Sequence, residues 1–289
     1  RRPMFVRGDV KGNSTVIVSQ NKKGKTTTAL AWMLQEGVHI GHLPIAQTLF
    51  DAPETLFPKL GGRAIPLTGL QDAMDLLPYH PMVKEKGINL TPAHYQKYQE
   101  QLHLKDTLSA HRLVDQMFDD FHGAYGAPRL PHFPFTFSLE NEANTRYRHF
   151  LLEFLNKFYE RWTEMFNRGY KFILMVDNVS AGFAKPGHTH LGNIPYQIAN
   201  QLGDKIAEIV SNGRNRGLVV CVLTHAPEDL ERLRTGLTRQ FRFFVDFDHP
   251  VDLMGNYIDP KEGVVISDQL NLELPPVITA ELGRQEHLR

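Results

Sequence analysis

Cysteine is nearly absent. Cys221 is the one cysteine in 289 residues, which excludes an intrachain disulfide framework and a cysteine-rich zinc site and suits a reducing compartment. Long apolar runs are missing too: no stretch approaches the roughly 20 residues needed to cross a bilayer. No secretory signal stands at the start. Net charge is also missing, since 32 Lys and Arg face 32 Asp and Glu. Bulk charge therefore argues neither for nor against nucleic acid, although a local basic stripe or an assembled pore would still bind it. The chain has no internal repeat and no low-complexity tract. It opens Arg1-Arg2-Pro3 rather than with Met, as expected of a processed chain or a piece of something longer.

What is present fits a globular protein. Hydrophobic residues make up 42% and charged residues 22%, an ordinary balance, and the length suits one large domain or a domain carrying an insertion. Buried strands are predicted at Ser14–Val18, Lys171–Val176, Gly217–Thr224 and Phe241–Phe247, with weaker ones at Gly61–Leu67 and Val264–Ser267. Helices are predicted at Lys25–Gln35, Glu142–Gly169, Ile194–Ser211 and Pro227–Leu237. Apolar strands alternating with helices mean an α/β fold, a mostly parallel sheet covered on both faces. Residues 1–83 and 151–289 are assigned to this core, and 84–150 to a mainly helical insertion.

The insertion has a helix start at Thr91-Pro92-Ala93, with Thr91 as N-cap and Pro92 in the first turn. Leu102, Leu104, Leu108, Leu113, Met117, Phe118 and Phe121 are spaced for one or two amphipathic helices packing on the core or docking a partner. Gly126–Leu139, rich in Pro and aromatics, cannot be regular helix. His80, His94, His103, His111 and His122 are scattered without ligand spacing, so no metal beyond Mg2+ is expected.

The decisive stretch is STVIV-SQNKKGKT-TTALAWML, in which a strand leads through a loop into a helix. Phosphate requires unpaired N–H groups at a helix start, a positive dipole end and a lysine that reaches the outer phosphates. Ser19, Gln20, Asn21, Lys22, Lys23, Gly24, Lys25, Thr26 and Thr27 form the candidate cradle. The hydroxyl of Thr26 is the candidate Mg2+ ligand. Ser19 stands where the first glycine of G-x-x-x-x-G-K-[ST] belongs, which is tolerable if that turn needs no positive φ. Lys22 and Lys23 touch phosphate, meet a neighbouring subunit or remain solvated. Asp177, ending the strand KFILMVD, is the acid expected to hold Mg2+ through water; its plainer role is to cap a turn. Asn178 follows, where many hydrolytic P-loop proteins have a glutamate that activates water. Asn cannot accept a proton, and no other base stands out.

Residues 206–258 resemble the C-terminal half of the motor core of the FtsK and HerA superfamily, which includes DNA translocases, conjugative coupling proteins, type IV secretion ATPases and viral packaging ATPases. The matching parts are Arg214 and Gly217, the strand ending Thr224-His225, Pro227, the helix to Arg239, and Phe241–Phe247. With the phosphate loop and Asp177 the resemblance spans about two-thirds of the chain, outside the insertion. It implies a RecA-like P-loop core binding ATP and Mg2+, with Thr224 and His225 sensing the γ-phosphate. Members usually carry Thr-Gln or Ser-Gln there. It also implies a ring, most often a hexamer, in which an arginine reaches the phosphate held by the next subunit. Arg214 matches that position best, Arg216 is the alternative, and Arg239 and Arg242 are weaker.

Partition-type ATPases share GKTTT but carry a lysine where this chain has Gln20. Nucleotide kinases bring an Arg-rich lid that 84–150 does not resemble. The expectation is thus an ATP-hydrolysing motor subunit moving DNA or protein, in conjugation, type IV secretion or genome packaging. Its expected place is the cytoplasm, with attachment to the inner face of a membrane through partners left open. Ser19 and Asn178 motivate a different class, a nucleotide-binding structural or regulatory subunit with little hydrolysis. A small-molecule kinase is the third reading.

Overall fold

The computed structural model describes residues 14–18, 25–26, 29–30, 33, 39–45, 52–70, 92–119, 133–139, 144–166, 172–177, 194–213, 217–226, 229–230, 237, 241, 243–246, 264–267 and 272–273. In chain order these hold β1 (Thr15–Val18), β2 (His39–Pro44), α1 (Ala52–Lys59), β3 (Arg63–Leu67), α2 (Pro92–Asp119), β4 (Phe135–Leu139) and α3 (Thr145–Phe166). Then come β5 (Phe172–Asp177), α4 (Ile194–Gly213), β6 (Leu218–Thr224), β7 (Phe243–Asp246), β8 (Val264–Ser267) and β9 (Leu272–Glu273). Lys25, Thr26, Ala29, Leu30 and Met33, after β1, are helical, as are Asp229 and Leu230 after β6.

All nine strands form one sheet in the order β3-β4-β2-β5-β6-β1-β7-β8-β9. From β3 to β7 every pairing is parallel, and β8 and β9 add an antiparallel edge. The fold is therefore α/β with a mostly parallel sheet. Runs such as FILMVD and LVVCVLT are buried throughout because the sheet is covered on both sides. Pro66 is tolerated because β3 is the edge strand.

Alternation along the strands sorts the core into two faces. Val16, Val18, Leu43, Phe135, Phe137, Phe172, Leu174, Val176, Val220 and Val222 join one cluster with buried residues of α2, α3 and α4. Helix α3 supplies Tyr147, Phe150, Leu151, Phe154, Leu155, Phe158 and Trp162, a stripe at helical spacing. The intervening strand residues Ile17, Ile40, Ile173, Met175, Cys221 and Leu223 point the other way and are buried too, as are Ala29, Leu30 and Met33. Helices thus cover both faces, and the helical stretch after β1 lies opposite α2–α4.

Three strands escape the sequence reading: β2, β4 and the two-residue β9 at the sheet's edge. β2 (HIGHLP) is poor in β-formers and lies outside the predicted elements. β4 falls in the segment read as a mainly helical insertion, yet it pairs with both β2 and β3 inside the sheet. Residues 84–150 therefore contribute α2 and also a strand of the core. Leu104 and Leu108, expected on the packed face of α2, are 62% and 59% exposed. The buried stripe runs through Gln99, Asp106, Ala110 and Val114 to Met117 and Phe118, the last two as expected. Its phase is set by Asp106, which meets Arg146 of α3 in a two-pronged ion pair at 2.9 and 2.6 Å. A paired Asp is compatible with the interior in a way that an unpaired one is not.

Candidate functional site

β1 is followed in chain order by β2, three strands away, whereas its neighbour β6 is followed by β7 on the far side of β1. Connections that leave adjacent parallel strands in opposite directions open a crevice at the strands' carboxyl ends. The register brings those ends level: Val18 pairs with Thr224, and Pro44 with Asp177.

The first described helical residues after β1 reach the ends of β6, its neighbour, and of β5, the next strand over. Nζ of Lys25 lies 3.1 Å from Nδ1 of His225, at the end of β6. An ammonium can only donate, so the ring accepts at Nδ1. One residue on, the Thr26 hydroxyl donates to Oδ2 of Asp177 at 3.2 Å, at the end of β5. Lys25 and Asp177 are both buried, at 8% and 4% exposure, so two opposite charges share a site shielded from water.

Thr224 and His225, adjacent in sequence, do different things. The Thr224 hydroxyl lies 3.1 Å from the carbonyl of Ala226 and 3.0 Å from Oδ2 of Asp229, so its one proton has both as acceptors within reach. Alternation explains the split, because Thr224 follows Val220 and Val222 on the α2–α4 side of the sheet. Of the pair, His225 is the residue that meets Lys25. Cys221, lower in β6, is fully buried, and burial first and the Asp177 charge second push its thiol up. It is packing, not a nucleophile.

Asp177 is held from several sides. Its carbonyl accepts from the Ile45 N–H at 2.8 Å, extending the β2–β5 ladder. The Tyr147 hydroxyl of α3 donates to the Pro44 carbonyl alongside, and burial pushes that phenol up. Sequence reasoning missed His42 of β2, whose Nε2 lies 3.4 Å from Oδ2 of Asp177. No motif marks His42. The alternation Phe135-Thr136-Phe137-Ser138-Leu139 was a legible strand pattern, and its Thr136 is the other partner of His42.

The oxygens present suit Mg2+. This ion takes oxygen ligands at about 2.0–2.1 Å in octahedral geometry, which sets neighbouring ligand oxygens about 3 Å apart. Thr26 Oγ1 is such an oxygen, and Asp177 Oδ2, 3.2 Å from it, is placed to accept from a water of the same shell. Among the described residues no cluster of three His, Cys, Asp or Glu would hold a metal by itself. Ser19 to Gly24, Thr27, Asn178, Arg214, Arg216, Arg239 and Arg242 lie outside the described residues. Gly217 is described, and its φ of 71° is a turn conformation that favours glycine.

No family model matches the chain, and neither does any curated protein. Solved structures do. VirB4 of Thermoanaerobacter pseudethanolicus is 14% identical, with 94% of this chain and 91% of that chain covered and a TM-score of 0.49. The genome packaging NTPase B204 of Sulfolobus turreted icosahedral virus 2, in complex with ATP-gammaS, is 9% identical over 90% of this chain and 93% of that chain, with a TM-score of 0.39. EssC (ATPases 2 and 3) of Geobacillus thermodenitrificans is 13% identical over 91% of this chain but 37% of that one, with a TM-score of 0.41. At such identities and TM-scores no residue role passes from them to this chain. Among the described residues, no helix is long and apolar enough to cross a membrane.

Proposed function

We propose that the chain binds ATP with Mg2+ at the carboxyl ends of β1, β5 and β6 and hydrolyses it as the motor subunit of a ring-shaped translocase. One observation carries the reading. Two consecutive residues at a helix start, Lys25 and Thr26, contact the ends of two different strands, at His225 and Asp177. Lysine, hydroxyl, carboxylate and imidazole thereby converge where a helix presents its positive end.

In this reading Lys25 holds the outer phosphates, and Thr26 and Asp177 hold Mg2+, which supplies charge neutralisation on the transferring phosphoryl group. His225 registers whether Lys25 is engaged by phosphate or resting on its ring. Arg214 enters the neighbouring subunit's site. The cargo, DNA or protein, is left open by the balanced charge. The alternative, a nucleotide-binding subunit with little hydrolysis, is favoured by Asn178 beside Asp177. Asp229, the nearby acid in the described part of β6's turn, is already engaged by Thr224.

The test is Lys25→Ala in the purified full chain. ATP turnover is expected to vanish and ATP binding to weaken sharply. Turnover at the normal rate sinks the proposal. Tight, Mg2+-dependent binding without turnover in the unaltered protein selects the alternative.

A further inference from the structure

Thr136, His42 and Asp177 form a row across three neighbouring strands, β4, β2 and β5. The β2–β4 register sets His42 opposite Thr136, and the β2–β5 register sets Pro44, two residues beyond His42, opposite Asp177. Residues two apart in a strand share a face, so His42 stands beneath the carboxylate. It is 1% exposed. Nδ1 lies 2.7 Å from Oγ1 of Thr136, and Nε2 lies 3.4 Å from Oδ2 of Asp177.

The hydroxyl proton of Thr136 has two acceptors in reach, the ring at 2.7 Å and the Phe137 carbonyl at 3.3 Å. In a neutral ring, donation to the carbonyl would leave the ring proton on Nδ1. A bare Nε2 lone pair would then face a carboxylate oxygen in a buried site, which is costly. Donation to Nδ1 at the shorter distance avoids this and leaves the ring proton on Nε2, pointing at Asp177.

Oδ2 therefore has two donors on different supports. Thr26 can ligate a metal through an oxygen lone pair while its proton stays directed at Asp177, whereas His42 never touches the metal and is packed in the sheet, 1% exposed. We infer that His42 is a positioning residue: with Thr136 behind it, it fixes the rotation of the Asp177 carboxylate and so sets the affinity of the site for Mg2+. This rests on the nucleotide reading of the same site. Removing such a supporting partner costs roughly 10–100-fold in metal affinity at other metal sites.

The experiment measures binding of a fluorescent ATP analogue by the full chain while Mg2+ is titrated. His42→Leu is expected to raise the Mg2+ midpoint at least about tenfold, leave Mg2+-free nucleotide binding unchanged, and be largely restored in His42→Gln, which returns an N–H donor. A His42→Leu protein that titrates like the unaltered chain overturns the inference. If the unaltered chain shows no Mg2+-dependent gain, the nucleotide reading itself has failed, a distinct result that removes the inference with it. Should His42→Leu not fold, Thr136→Val keeps the imidazole and is expected to shift the midpoint the same way by a smaller factor; no shift counts against the inference. Nitrogen NMR of the nucleotide-free chain, with the His42 resonance assigned by its loss in His42→Gln, is expected to find the proton on Nε2. A proton on Nδ1 with none on Nε2 overturns the assignment whatever the nucleotide does.

Discussion

A methyl group on Gly41 would stand 2.6 Å from two atoms of the Phe135 ring and 3.0 Å from Leu174. That ring is wholly buried and meets Phe133, Phe137 and Phe154 at centroid distances of 5.2, 5.5 and 5.8 Å. It has no room to yield. Gly41→Ala is therefore expected to destabilise the chain by about 1–3 kcal/mol, the usual cost of overpacking, read as a lower urea midpoint with an unchanged slope. An unchanged midpoint would mean that Phe135 can repack. Single residues also decide chemistry here, since one step along β6 separates Thr224, bound to Asp229, from His225, bound to Lys25.

The α2–α3 pair joins through polar groups as well as apolar ones. Arg146 binds Asp106 of α2 and the carbonyl of Gly69, and Asn144 caps α3 by accepting from the Tyr147 N–H at 3.0 Å. Alongside, the rings of His103 and His149 stack with centroids 4.3 Å apart. Burial first, then the charges of His149 and Arg146, lower the His103 pKa from 6.5 to about 4. The folded chain thus keeps His103 neutral where the unfolded chain protonates it. Between pH 6.5 and about 4 the unfolded state binds more protons, so stability falls as pH falls through that window. His103→Gln is expected to flatten this stretch of the stability curve, followed by urea midpoints at several pH values. A variant with the same slope would show that other groups set it.

At the scale of the whole molecule, the sheet separates structural from chemical duties. The α2–α4 side carries the aromatic core, Phe118, Phe154, Phe158, Trp162 and Phe172 among it. The other side carries His42, Thr136 and Asp177 beside the helical stretch that starts at Lys25. A site at the carboxyl edge of such a sheet is accessible to a second chain, and the proposed role of Arg214 makes turnover a property of pairs of subunits. Lys25→Ala and Arg214→Ala proteins are each expected to be inactive, with Arg214→Ala still binding ATP. Mixed together they are expected to recover part of the turnover, because some interfaces then join an intact Lys25 site to an intact Arg214. No recovery in the mixture, measured as phosphate release, would place Arg214 outside the neighbour's site.

The chain's local chemistry was enough to identify β1, β5 and β6, the helical state of Lys25 and Thr26 after β1, and an acid, Asp177, ending β5. Each depends on neighbours in sequence: apolar runs, a lysine followed by a hydroxyl at a helix mouth, a carboxylate ending a strand. It did not disclose β2, because HIGHLP has little intrinsic preference for a strand and becomes one only between β4 and β5. It misplaced the face of α2, because Leu104 and Leu108 look apolar in isolation while Asp106 is buried by a partner 40 residues away. His42 lies 135 residues from Asp177. Only the tertiary register, which stacks Thr136, His42 and Asp177 across three parallel strands, brings a ring nitrogen to that carboxylate.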